Sequence, residues 1–214
     1  MGVDIPSNVK DPERIRERRG QIVKAAVRLF SDKGFHKTTT REIAKASGIS
    51  NGALYEYVGS KEDVLFLVCQ HIHNKMEEQL LLRLTGDDSA AQRLRQAIEG
   101  LLQVVYDMQA DVLLIYQETK SLPPSFLHEV LAKEQDITGI FERLLRDGQQ
   151  DGSLLIDNHS IPLLAHNIVV GAEMWAFRRW ALKTLAFEEF VKLQTDMLMA
   201  ACGVSKREPN SSSK

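Results

Sequence analysis

Residues 38–61 read as two short helices joined by a sharp turn, and few other arrangements satisfy them. Thr39 stands where an N-cap hydroxyl is needed, and Glu42, three residues on, closes a capping box. Ile43 and Ala44 give this helix a small apolar face. Ser47-Gly48 ends it, because glycine reaches the left-handed region without a Cβ clash. Ser50 caps the second helix, whose Leu54 and Val58 recur inward at helical spacing, and Ser60 with Asp63 caps a third. Small residues at the helix crossing and short side chains on the second helix are what a helix-turn-helix needs to enter a major groove. Duplex DNA is therefore the first partner implied.

On the second helix, Ser50, Asn51, Gly52, Ala53, Tyr55 and Glu56 are the exposed candidates. Asn51 has the chemistry to pair with adenine, and Glu56 to accept from cytosine N4. Lys61 opens the following helix, where free backbone N–H groups favour an anion. Tyr57 either packs beneath the motif or touches a phosphate. Charge is polarised along the chain. Residues 1–61 hold 12 Lys/Arg against 7 Asp/Glu, and the rest holds 15 against 22. A basic head on an acidic body suits phosphate at one end only. Arg14, Arg16, Arg18 and Arg19 crowd the start of helix one, against its macrodipole; they serve either an external anion or a solvated face.

The rest of the chain is helical by periodicity, so the fold class is all-α with about nine helices. With 43% hydrophobic residues it can bury a core, and six Pro and 13 Gly leave helix formers dominant. Helix one is expected from Pro12 to about residue 33, with Ile15, Ile22, Ala26, Leu29 and Phe30 inward. Helix four is expected over 61–84, helix six over 110–120, helix seven over 125–150, helix eight over 160–182 and helix nine over 187–202. Residues 86–89 read as a turn, with Ser89 capping helix five, and Pro123-Pro124 break the chain before helix seven. Leu127, Val130, Leu131, Ile137, Phe141, Leu144 and Leu145 form helix seven's apolar stripe. Residues 1–11 and 204–214 read as flexible tails. Cys69 and Cys202 read as small buried hydrophobes in a reducing cytosol. Histidine spacing fits no metal site, and no nucleotide loop or nucleophile elbow appears, so no cofactor is expected. No signal-like or membrane-spanning run is present, so the expected location is cytoplasmic.

The segment resembles the N-terminal DNA-binding domain of the TetR family of bacterial repressors. The resemblance rests on Gly34-Phe35, Thr39-Thr40, Ile43-Ala44, Gly48-Ile49-Ser50, Leu54-Tyr55 and Ser60-Lys61-Glu62. Val58 stands where the family often has Phe, which keeps an apolar plug. The resemblance implies a helix-turn-helix domain over 12–60 and a helical ligand-binding and dimerisation domain over 61–203. It implies that Thr40, Tyr55 and Lys61 touch phosphates, and that Arg41 reaches a phosphate or a base. It also implies a homodimer, with the last two long helices paired as a four-helix bundle, binding a palindromic operator and released by a small molecule.

Helix eight carries Met174, Trp175, Phe177 and Trp180 interleaved with Glu173, Arg178 and Arg179. This composition suits a subunit interface, a ligand cavity or plain core. Trp175, Arg179 and Leu198 are the interface candidates. Tyr106, Met108, Tyr116, Phe141, Met174 and Arg178 are the pocket candidates. The helical layout is similar to family members that sense acyl-coenzyme A or fatty acids, which makes a hydrophobic acid the leading effector. A multidrug or aromatic effector is the alternative, and an all-α enzyme the remote one.

Overall fold

Asp11 starts the first helix: its carboxylate accepts from the Glu13 and Arg14 amides at 3.0 and 3.3 Å, and Pro12 follows as the first helical residue. A computed structural model describes residues 5–84 and 88–204. Its α-helices are α1 (Pro12–Lys33), α2 (Thr40–Ala46), α3 (Asn51–Leu54), α4 (Lys61–Leu81), α5 (Ala90–Asp107), α6 (Gln109–Glu118), α7 (Pro124–Gln150), α8 (Ile161–Arg178) and α9 (Phe187–Ala201). Two short 3-10 turns, Thr119–Ser121 and Asn158–Ser160, precede α7 and α8. Among the described residues the fold is all-α, with one isolated bridge between Leu154 and Val204. No described helix is long and apolar enough to cross a membrane.

Contacts divide the chain into two units: residues 1–75 with 110–134, and residues 76–109 with 135–214. In the first, Ile22, Val23, Ala26 and Phe30 of α1 meet Phe35, Ile43, Ala44, Leu54 and Val58 in a closed core. Val64, Leu65 and Val68 of α4 are buried at helical spacing, and Phe66 stacks on Phe126 of α7 with ring centroids 4.4 Å apart. In the second, α5 packs on α8 and α9. Its apolar face, Leu94, Ile98, Leu101, Leu102 and Val105, is fully buried, as periodicity requires.

Several expectations shift. The stretch read as a flexible arm is tied down from residue 5: Ile5 is buried, Ser7 Oγ and the Asn8 amide both donate to the Glu56 carbonyl at 2.9 Å, and Arg19 reaches the Ile5 carbonyl at 2.6 Å. Ile15 and Leu29 are only half-buried, and Leu131 is exposed. α8 stops at Arg178 rather than at residue 182, because the Ala181 and Leu182 amides both turn back to the Arg178 carbonyl. Residues 86 and 87 of the expected turn, and the tail from 205, lie outside the described residues. Ser89 does cap α5, in a capping box with Gln92. Cys69 and Cys202 are buried, and burial pushes their thiols up to about 12 and about 11, so neither is a thiolate at neutral pH.

Candidate nucleic-acid interface

The caps anticipated for residues 38–63 are all made. Thr39 Oγ1 accepts from the Glu42 amide at 3.3 Å, and Glu42 Oε2 accepts from the Thr39 amide at 2.9 Å. Lys33 of α1 also pairs with Glu42. The Lys33 ammonium first, then the Thr39 hydroxyl and amide, hold the Glu42 carboxyl at about 2, well below its ordinary value near 4.5. Gly48 takes φ +72°, and Ser50 Oγ accepts from the Ala53 amide at 3.1 Å to open α3. Ser60 Oγ accepts from the Asp63 amide at 3.0 Å, while Asp63 also accepts from the Gly59 amide at 2.8 Å. Every turn around α3 is thus fixed by side-chain hydrogen bonds, which sets the aim of its exposed face.

That face is made of small or polar groups. Ser50, Gly52, Tyr55, Glu56 and Arg41 are exposed, and Thr40, Asn51 and Ala53 are half-buried. The Thr40 hydroxyl and the Tyr55 phenol lie 3.2 Å apart, which joins the start of α2 to the end of α3 on one surface. Around Gly52, the nearest atom to a Cβ would be Ser50 Oγ at 3.9 Å, so the glycine leaves open space that lets a partner approach α3 closely. Asn51 differs from the sequence reading. Its Oδ1 is buried and without a hydrogen-bond partner among the described residues, so bidentate pairing with adenine needs the amide to turn outward. Tyr57 is 3% exposed, which resolves its two readings in favour of packing.

Lys61 and two of the arginines also serve the fold. The Lys61 ammonium donates to the Phe35 and Thr38 carbonyls at 3.0 and 3.1 Å and lies 4.2 Å from the centre of the Phe35 ring. Its charge is directed at the α1–α2 corner, leaving one N–H for an outside anion. Arg19 bonds the Tyr57 and Ile5 carbonyls, and Arg18 donates to Gln21. Arg14 and Arg16 remain exposed at the start of α1. Lys61→Met, which keeps the apolar stem, should therefore lower unfolding free energy by about 1–3 kcal/mol: the Thr38 carbonyl loses its lysine donor, while that of Phe35 still accepts from the Thr38 amide. Urea unfolding checks this; an unchanged midpoint would mean the two bonds contribute nothing.

One element of this region has no local sequence signal. Glu118, at the end of α6, accepts from the Phe35 amide at 3.2 Å, and Ser121 lies 3.3 Å from His36 Nε2. Gly34, at φ +81°, lets the chain turn beneath Glu118. A helix from the middle of the chain thus holds the α1–α2 corner.

Comparison with known proteins places this arrangement. Residues 22–68 match the family of bacterial regulatory proteins called tetR, and residues 87–179 match a tetracyclin repressor-like C-terminal domain. The transcriptional regulator HbdR of Aromatoleum sp. (strain CIB) is 32% identical over 179 residues, spanning 83% of this chain and 76% of that one. The chain belongs to the TetR family. It is a transcription regulator whose DNA-binding element is the helix-turn-helix described above. The transcriptional activator FasR of Mycolicibacterium smegmatis is 32% identical over 134 residues, 61% of this chain and 60% of its own length. The crystal structure of AibR with isovaleryl coenzyme A and operator DNA shares the fold at a TM-score of 0.71 and 22% identity, covering 85% of this chain and 98% of AibR.

The expected effector residues lie on several helices of this TetR-family chain. Tyr106 stacks on Phe187 with centroids 3.9 Å apart, Met108 and Phe141 are buried in the core, and Met174 is half-buried. Arg178 lies over the Trp180 ring at 4.7 Å, and Tyr116 is 68% exposed in the other unit. Trp175, an expected interface residue, is 1% exposed already within one protomer, enclosed by the rings of Tyr106, Phe187 and Phe190. Arg179 covers that ring from outside at 4.7 Å. Leu198 is half-buried, whereas Leu163, Val170, Leu193 and Met197 of α8 and α9 are exposed apolar groups.

Proposed function

We propose that the protein is a homodimeric, effector-released repressor that binds a palindromic operator through residues 12–60 and dimerises through residues 61–203. The exposed surface joining Thr40, Arg41, Gly52 and Tyr55, built on a fully capped helix-turn-helix, carries this reading. Thr40, Tyr55 and Arg41 hold phosphates. Ser50, Asn51, Ala53 and Glu56 face the bases, and Lys61 steadies the corner behind them while offering its last N–H to a phosphate. Dimerisation is supported by the exposed apolar groups of α8 and α9, Leu163, Val170, Leu193 and Met197, since exposed apolar patches mark interaction surfaces.

The effector is a hydrophobic carboxylate or acyl thioester, a reading supported by the shared fold of AibR, which was crystallised with isovaleryl coenzyme A and operator DNA. Glu118 gives the release step a physical handle. Movement of α6 would draw on the Phe35 amide and re-aim α2 and α3, so half-site spacing would no longer match. A planar aromatic effector is the second reading, favoured by the cluster of Tyr106, Trp175 and Phe187 beside a cavity of ≈ 400 Å³.

Asn51→Ala should relax base preference at one position in each half-site, worth roughly 1–3 kcal/mol if its amide turns out to read a base. Competition binding with single-base operator variants measures this. A uniform loss at all positions would move Asn51 from the bases to the backbone.

A further inference from the structure

The second unit holds a groove of ≈ 460 Å³ where the end of α4 meets the early part of α5 and the second half of α7. Leu81, Leu84, Ile140 and Leu144 are its apolar lining; Leu81 is 48% exposed. Three guanidiniums share the rim: Arg93, Arg143 and Arg146. Asp147 takes Arg93 at 3.2 Å and Glu142 takes Arg146 at 3.1 Å. Arg143 has no carboxylate partner among the described residues, and Arg93 Nε is buried without an acceptor. Residues 62–214 carry more acids than bases, so a rim with surplus positive charge runs against the charge of its own domain. A buried donor without an acceptor costs stability unless something supplies one. An apolar trough with a few convergent polar groups is the usual form of a small-molecule site, and the volume lies within the usual range.

We propose that this groove binds an amphiphile with an anionic head, a carboxylate or a phosphate ester. The head pairs with Arg143 and approaches Arg93, because a guanidinium fork matches either anion with two parallel N–H donors. The apolar body lies along Leu81, Leu84, Ile140 and Leu144. Binding stands apart from the repressor reading; only its regulatory meaning rests on that reading.

Calorimetry on the full chain with dodecanoate, dodecyl phosphate, dodecanol and inorganic phosphate tests the assignment. The headed amphiphiles should bind, and dodecanol and inorganic phosphate should bind at least about tenfold more weakly. Binding by dodecanoate alone assigns a free acid, and by dodecyl phosphate alone a phosphate ester. Arg143→Glu should weaken the headed amphiphiles at least about tenfold, and Leu81→Gln should weaken them too; both side chains are exposed, so both variants should fold. Unchanged binding by Arg143→Glu, or inorganic phosphate binding as tightly as dodecyl phosphate, would overturn the groove assignment. Unchanged amphiphile binding by Arg143→Glu, in a protein that still binds operator, would overturn the groove while leaving the repressor reading in place. Amphiphile binding lost in Arg143→Glu, in a protein that never binds an operator, would support the groove and remove the repressor.

Discussion

Met197→Glu is expected to convert the protein to monomers and to lower operator affinity by about 10²–10⁴-fold. Met197 is 67% exposed on α9, so the charge meets water in the monomer and leaves the fold intact. In the proposed dimer the same position is covered, and an unpaired carboxylate there loses its hydration. The loss on DNA is large because two linked half-site contacts act as one binding event with a high effective concentration. Leu198→Glu is a less clean probe. Leu198 Cδ1 would lie 3.8 Å from a Cβ placed at Gly171, so its side chain also packs against α8 within the protomer. Sedimentation velocity reads the assembly state. A Met197→Glu protein that remains dimeric and binds operator normally would remove α9 from the interface.

Trp175→Ala is expected to lower unfolding free energy by about 3–5 kcal/mol, the range for removing a large buried aromatic side chain. The indole is 1% exposed, and its ring meets Phe187 at 5.2 Å and Phe190 at 4.9 Å between centroids. Truncation leaves a cavity that the rings of Tyr106, Phe187 and Phe190 and the guanidinium of Arg179 cannot all close. The denaturation midpoint should fall with little change in slope, since the surface exposed on unfolding is nearly the same. A charged substitution at Trp175 should therefore unfold the body rather than separate two folded subunits. If Trp175→Ala kept its midpoint but sedimented as a monomer, the ring would belong to the interface after all.

The contrast between these two residues shows what the sequence could resolve. Composition drew attention to the Trp-rich end of α8, but aromatic residues and arginine mark cores, pockets and interfaces alike. Only the fold distinguishes buried Trp175 from exposed Trp180. The helix-turn-helix was legible because its determinants are local: Thr39 with Glu42, Ser50 with Ala53, Ser60 with Asp63 and Gly48 each act within four residues. Most of the inward faces of α1 and α7 were legible for the same reason, since helical periodicity is a short-range pattern. Contacts across long sequence separations were not. Arg19 reaching the Tyr57 carbonyl, Glu118 reaching the Phe35 amide, and Lys61 turning toward Phe35 and Thr38 depend on chain geometry that no spacing rule encodes. Lys61 shows the consequence: its place at a helix start favours an anion, while the Phe35 and Thr38 carbonyls of a neighbouring corner compete for the same ammonium.

The most direct measurement is selection of bound sequences from a random duplex pool by the protein. A palindromic consensus is expected, its two half-sites spaced for a symmetric dimer, with selection weakened by raised salt. Enrichment of a single unpaired half-site, or no enrichment over the starting pool, would contradict it.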